Sequence, residues 1–249
     1  MRRALVFVTG LLLAFGAAGA QADTLAPTVS ILVDGNVVGS VTPVLDTTTG
    51  EWLVENYYWS NSEAQITLNA ALDPDPSILY AMSVVDFGGP SVFGFIFGLP
   101  IVPTAAPGIV THSESSSTTN GGGVAGTPVT ALAPPLGVPV DGDLVTEQFV
   151  YTLSLDGGLT LLNAGLDIRP SFVGASPSDT QAAINLGPVA GPAGAGFYNF
   201  MRVDVNFSMT GGNDAYTFNG IATVIPEPAT GALMLLGLAG LGALRRHTH

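Results

Sequence analysis

Between Phe200 and Met209 apolar and polar side chains alternate. Met201, Val203, Val205, Phe207 and Met209 fall on one side, and Arg202, Asp204, Asn206 and Ser208 on the other. A two-residue period is that of a β-strand, so this stretch predicts a strand with one face in a core and one in water. On that wet face Arg202 and Asp204 would neighbour each other as a surface pair of little energetic weight. Phe149, Tyr151, Leu153 and Leu155 alternate in the same way, and Asp156-Gly157-Gly158 supplies a turn into Leu159-Thr160-Leu161-Leu162, which predicts a hairpin. Phe93, Phe95 and Phe97 alternate with Gly94, Ile96 and Gly98; the rings would fill the core while the glycines admit close approach of another chain. Further strands are expected over residues 28–33, 37–45, 51–57, 64–69, 78–86 and 215–224. Turn residues separate them at short intervals, which favours an all-β, antiparallel β-sandwich over a βαβ arrangement.

Two stretches depart from this pattern. Ser176 can cap and Pro177 can open a short helix, with Asp179 at the capping-box position and Gly187 at its end. Residues 111–126 (THSESSSTTNGGGVAG) and 133–140 (APPLGVPV) are low in complexity and read as loop or linker. Hairpins on both sides have edges that need covering, so a single sandwich with a long loop near 111–140 is preferred to two lobes.

The two ends read as addresses rather than fold. Residues 1–22 carry Arg2 and Arg3, an apolar stretch from Ala4 to about Ala18, and small residues ending Ala20-Gln21-Ala22, the layout of a secretory signal peptide cut before Asp23 by signal peptidase. That leaves residues 23–224 as the exported β-rich domain and residues 225–249 as a separate tail. Within the tail, residues 229–244 form an uncharged run of Ala, Gly, Leu, Met and Thr. As a transmembrane helix it would rise roughly 24 Å, a little short of the hydrocarbon core, and the arginines behind it can snorkel. Arg245 and Arg246 would hold the end of that helix in the cytoplasm, which puts the body across the inner membrane. Ahead of it, Pro226 and Pro228 fix their own φ angles and bias Ile225 and Glu227 toward extended backbone, a form suited to a protease cleft.

Pro226-Glu227-Pro228, the Gly/Ala/Leu-rich run and Arg245-Arg246, in that order, resemble the PEP-CTERM sorting signal. The resemblance covers about the last 25 residues of the chain. It implies recognition by an exosortase, an integral-membrane transpeptidase-like enzyme of Gram-negative bacteria. It further implies transient tethering in the inner membrane, removal of the tail, and delivery to the cell surface or extracellular matrix, commonly in bacteria that make exopolysaccharide and biofilm. His247-Thr248-His249 trail beyond an arginine cluster that is short for that family.

Charge narrows the choice of partners. The net charge is −13, lysine is absent, and only Arg169 and Arg202 lie between the terminal arginine pairs. A chain so poor in clustered cations cannot neutralise a phosphate backbone, which excludes nucleic acid. The absence of cysteine removes a disulfide framework, a thiolate metal site and a cysteine nucleophile together.

Candidate chemistry in the body is sparse. His112 is the only histidine before the tail; it excludes a multi-histidine zinc site and, in a serine-rich stretch without a G-x-S-x-G elbow, reads as a solvated loop residue. Asp73 and Asp75, and Asp141 and Asp143, are closely spaced acids that could supply oxygen to Ca²⁺, the one candidate cofactor, although Asp beside Pro or Gly is also an ordinary turn former. Glu51, Glu55 and Glu63 are the raw material for a glycosidase pair, without a spacing that demands one. Trp52, Tyr57, Tyr58 and Trp59 form the densest aromatic patch; exposed, they would stack on sugar rings, and buried, they would be a core strand with Trp52 inward, the favoured expectation. The sequence thus points to an exported, non-enzymatic structural or adhesive protein. A carbohydrate-binding or calcium-assisted module is the first alternative and a secreted hydrolase the second.

Overall fold

A computed structural model describes residues 26–122, 128–132, 148–170, 172, 178–194 and 196–225. Over them the chain forms fourteen strands: β1 (Thr28–Val33), β2 (Asn36–Val41), β3 (Val44–Leu45), β4 (Trp52–Ser60), β5 (Ala64–Asp73), β6 (Ser77–Asp86), β7 (Ser91–Ala105), β8 (Ile109–Thr119), β9 (Val129–Ala131), β10 (Phe149–Ser154), β11 (Leu162–Asn163), β12 (Ser178–Ala190), β13 (Phe197–Met209) and β14 (Asp214–Ile225). Sheet I runs β11-β10-β13-β7-β1-β2, with β9 also on β13; sheet II runs β12-β8-β14-β6-β5-β4-β3. All pairings are antiparallel. The all-β, two-sheet expectation holds, and most strands expected from alternation appear within a few residues of their bounds; the expected 37–45 strand is instead divided between β2 and β3 in different sheets, and the second arm of the expected hairpin is only Leu162–Asn163, with Leu159 exposed in the connection.

The core between the sheets is aromatic. Sheet I contributes Phe93, Phe95, Phe97, Phe149 and Phe207, and sheet II contributes Tyr80, Tyr216 and Phe218, all essentially without solvent exposure. Tyr80 stacks on Phe97 at 5.3 Å between ring centroids, while Phe218 meets Phe149 edge-on at 5.4 Å and Phe207 meets Tyr216 edge-on at 5.0 Å. Such pairs add to the area they bury, and they tie one sheet to the other. The glycines between the phenylalanines of β7 serve as anticipated. A Cβ on Gly98 would lie 2.7 Å from Thr28 Oγ1 and 2.9 Å from the Phe200 ring.

Four expectations are corrected. Residues 111–119 are not loop: they lie in β8, which pairs with β14 without a break from Ala215↔Thr119 to Ile225↔Ile109. Serine and threonine have little apolar pattern to read, but a strand held between two neighbours gains its stability from the ladder. The helix over 176–187 is also absent, since residues 178–190 are β12, paired along the other side of β8. A helix there would have left the donors and acceptors of β8 unpaired. The third correction concerns β13, whose polar face is not wet. Asp204 has no exposure and Asn206 has 7 %, and Val150, Thr152 and Ser154 on β10 are buried too. Arg202 and Asp204 therefore form a bidentate pair, Nε donating to Oδ2 at 2.7 Å and Nη2 to Oδ1 at 2.5 Å, rather than a solvated one.

The fourth lies in β4, where the register shifts between Val54 and Tyr57. Asn56 adopts φ 51° there and donates its N–H to Asn69 Oδ1 at 2.8 Å. Simple alternation from an inward Trp52 would send Tyr58 inward and Trp59 out; this bulge inverts the phase, so Tyr57 pairs with buried Leu68, Trp59 with buried Ile66, and Tyr58 with Thr67.

Gly220 of β14 lies between Glu114 and Tyr80 in one cross-strand row. A Cβ there would stand 2.3 Å from Tyr80 Oη and 2.4 Å from Cζ. Since Tyr80 is fully buried and stacked, Gly220→Ala is expected to cost about 3 kcal/mol, at the upper end for core overpacking. Denaturant unfolding of the two chains measures it, and an unchanged midpoint would show that the Tyr80 ring can move.

Candidate functional site

The tail has its root in the middle of sheet II. β14 lies between β8 and β6, and its last residues remain paired: Ile225 faces Ile109, and Val224 donates its N–H to Pro76 O at 3.1 Å. The strand ends where Pro226 follows, because proline has no N–H to continue a ladder. The sorting residues Pro226, Glu227, Pro228, Arg245 and Arg246, and the expected span 229–244, lie outside the described residues, as do Ala20, Ala22 and Asp23 at the expected signal cleavage point.

Inside the sandwich, β8 turns a row of polar side chains toward the core. His112 is fully buried, Glu114 is 1 % exposed, and Ser116 and Thr118 follow at the same spacing. This corrects the solvated-loop expectation for His112, whose place in a paired strand hides it. Its Nδ1 lies 2.8 Å from Leu166 O and must carry the hydrogen, since a carbonyl only accepts. Nε2 is then an acceptor, placed 3.4 Å from the Tyr80 hydroxyl. Burial pushes the imidazole down to about 4, so it is neutral at ordinary pH. A serine nucleophile is not among these partners, and no carboxylate orients the ring.

Glu114 is the most exceptional group in the body. Among the described residues neither carboxyl oxygen has a partner in hydrogen-bond geometry, and the same holds for Ser116 Oγ and Tyr151 Oη. Burial pushes Glu114 up to about 7. The phenols of Tyr80 and Tyr216 are raised well above their usual range, by burial first and by Glu114 second. Tyr216 Oη accepts from Gln148 Nε2 at 2.9 Å. The row therefore gathers an acid, an imidazole and phenols in a buried layer, with the Tyr80 hydroxyl and His112 Nε2 the pair in contact.

The other candidate residues are scattered. Asp73 Oδ1 accepts from Asp75 N at 2.9 Å, which makes the pair an ordinary turn between β5 and β6. Asp141 and Asp143 lie outside the described residues. Glu51 precedes β4, Glu55 sits in its bulge and Glu63 in the next turn. Trp52, Tyr57 and Trp59 are partly buried against the core, and only Tyr58, 59 % exposed, points outward. The four aromatics do not form one stacking platform. Among the described residues no three His, Cys, Asp or Glu side chains are grouped as metal ligands would be.

Sequence reasoning missed one acidic pair. Asp86 ends β6 and Asp214 begins β14, directly opposite in register and both without exposure. Asp214 accepts from Gly121 N at 2.9 Å and from the Thr210 hydroxyl, and Asp86 from Ser91 Oγ at 3.2 Å, so the two anchor turns at the end of the sandwich away from the tail. Burial is the main cause raising the Asp86 carboxyl, with Asp214 a lesser one. Their only signal in the sequence was position, each adjoining a glycine- or asparagine-rich turn.

Fold and tail together define a class: a two-sheet antiparallel body that ends, without a spacer, in a sorting signal. The family description that matches the chain is the PEP-CTERM protein-sorting motif, over residues 224–246. The match begins inside β14. A tail of this kind marks an exported protein handed to an exosortase-type processing enzyme and, through membrane-associated sorting, to the cell surface. No curated protein matches the chain.

Opposed shifts at His112 and Glu114 set the pH profile. Glu114 holds its proton more tightly folded than unfolded, so its contribution is complete below pH 4.5 and is lost as pH rises to about 7. His112 refuses a proton when folded, so its contribution grows as pH rises from about 4 to 6.5. Between pH 4.5 and 6.5 the two largely cancel. In Glu114→Gln only the histidine limb remains: the variant should match the native chain near pH 4.5 and exceed it by up to about 3 kcal/mol at pH 8. Unfolding curves across that range measure this, and a constant difference would place the Glu114 proton elsewhere.

Proposed function

We propose that the body is a non-enzymatic structural or adhesive module, displayed at the cell surface or in the extracellular matrix after the sorting tail has delivered it. The observation that carries this reading is the direct join of a fully paired central strand to the sorting motif. The ionisable groups of the body support it, because His112 and Glu114 are sealed in the core while Glu51, Glu55 and Glu63 are spread over separate turns and strands. Anionic charge without lysine suits a protein that must stay soluble during export. Signal peptidase, the exosortase and, transiently, the inner membrane are its partners on the way, and exopolysaccharide is its contact afterwards.

A binding role is the second reading, and the outer face of sheet II favours it. There a groove of about 590 Å³ is bordered by Glu55, Asn69 and Asn219 together with Leu53 and Leu79. Beside it, Ser115 Oγ donates to Asn219 Oδ1 at 2.6 Å, and Thr217 and Ser83 hydroxyls meet at 3.3 Å. Amide and hydroxyl groups beside apolar side chains are suited to a sugar chain.

In cells that make the protein, intact mass of the mature product should lack Arg245 and Arg246, and Glu227→Ala should leave the chain full-length from Asp23 in the inner-membrane fraction. A native product ending in His249 would overturn the sorting reading. For the second reading, polysaccharide from the same cells should bind the body and lose most of that binding on Asn219→Ala; no binding by calorimetry would remove it.

A further inference from the structure

β14 leaves the sandwich at Ile225, at the end where the β7–β8 and β5–β6 turns also lie. β1 begins nearer the middle, since Thr28 pairs with Gly98, and runs away from that end to Val33 opposite Phe93.

Exposed apolar side chains follow the same polarity. Of the thirteen large exposed ones, Val37, Tyr58, Phe87 and Val92 lie toward the far end, and the other nine lie in the tail-bearing half. Phe197 is 59 % exposed beside Ala105, Val102 is 47 % exposed where its N–H meets Pro74 O, and Ile225 is 48 % exposed as the last residue of the ladder. Val189 lies on the same rim, opposite Val110 beside Val224, whereas Val44 stands further back in the row of Leu53 and Ile221. Four branched or aromatic side chains are thus left in water around the end at which β14 leaves the sandwich.

We propose that this end of the sandwich docks on the lipid surface, with Val102, Val189, Phe197 and Ile225 seated at the headgroup boundary of a zwitterionic bilayer. The inference rests on the tail spanning the membrane. From Ile225 to Ala229 four residues can reach at most about 14 Å, and the headgroup layer on one side takes up about 5 to 8 Å of that. A body whose last strand is paired through Ile225 can stand off from the headgroups by no more than the remaining distance of about 6 to 9 Å. No arginine lies on this end among the described residues, and Asp73 and Asp75 do, so attraction is by apolar burial rather than by charge. Docking would present the Pro-Glu-Pro segment at a constant height to a membrane-embedded processing enzyme.

The chain has no cysteine, so single cysteines can be placed freely. The full-length protein would be reconstituted through its tail into phosphatidylcholine nanodiscs, with Val102→Cys or Phe197→Cys at the tail end, or Val37→Cys at the far end, each carrying an environment-sensitive fluorophore. Positions 102 and 197 should shift to the blue and be quenched several-fold more than position 37 by lipids bearing a headgroup nitroxide. Equal quenching at all three, or none at 102 and 197 while the chain resists a carbonate wash, would overturn docking and leave the tail intact as a tether. A chain that washes off the discs would overturn the tail reading and docking with it. A blue shift that follows protein concentration instead of lipid would mean a second copy covers the rim, and would also overturn the proposal.

Discussion

The ladder of β14 between β8 and β6 is the constraint on which the rest depends. β14 pairs with β6 from Asp214 to Thr223 and with β8 from Ala215 to Ile225, and its inward residues Tyr216, Phe218, Ala222 and Val224 are core residues. Force applied at Ile225 would be carried into the interior of sheet II, where rupture requires shearing two ladders at once.

The same strand organises the interior. Opposite Gly220 the missing side chain makes room for the Tyr80 ring, whose hydroxyl then reaches His112. Next to it Glu114 lies buried with no donor in hydrogen-bond geometry among the described residues. Charge at such a site opposes folding, because burial penalises the ionised carboxyl more than a neutral imidazole can offset. Phe95, Phe207 and Phe218 supply the packing that lets the sandwich tolerate this polar layer.

Apolar exposure gathers toward the tail, hydroxyl and amide side chains line the outer face of sheet II, and the acids Asp86 and Asp214 close turns at the far end.

Much of the architecture was legible because strand alternation is a local signal: the inward row Met201, Val203, Val205, Phe207 and Met209 was readable residue by residue, as were Phe93, Phe95 and Phe97. The sorting tail was legible because its elements are contiguous. What local pattern could not supply was the partner across the ladder. Residues 111–119 look like linker until β12 and β14 flank them, and His112 looks solvated until the opposite sheet covers it. One extra residue at Glu55-Asn56 decides which of Tyr57, Tyr58 and Trp59 meets water, and nothing in their spacing marks it. By itself the sequence determined strand content, inward rows and the address of the chain, each set by neighbours a few positions away. Register and burial of the polar strand were decided only by tertiary structure, because they depend on hydrogen bonds between residues up to more than a hundred positions apart.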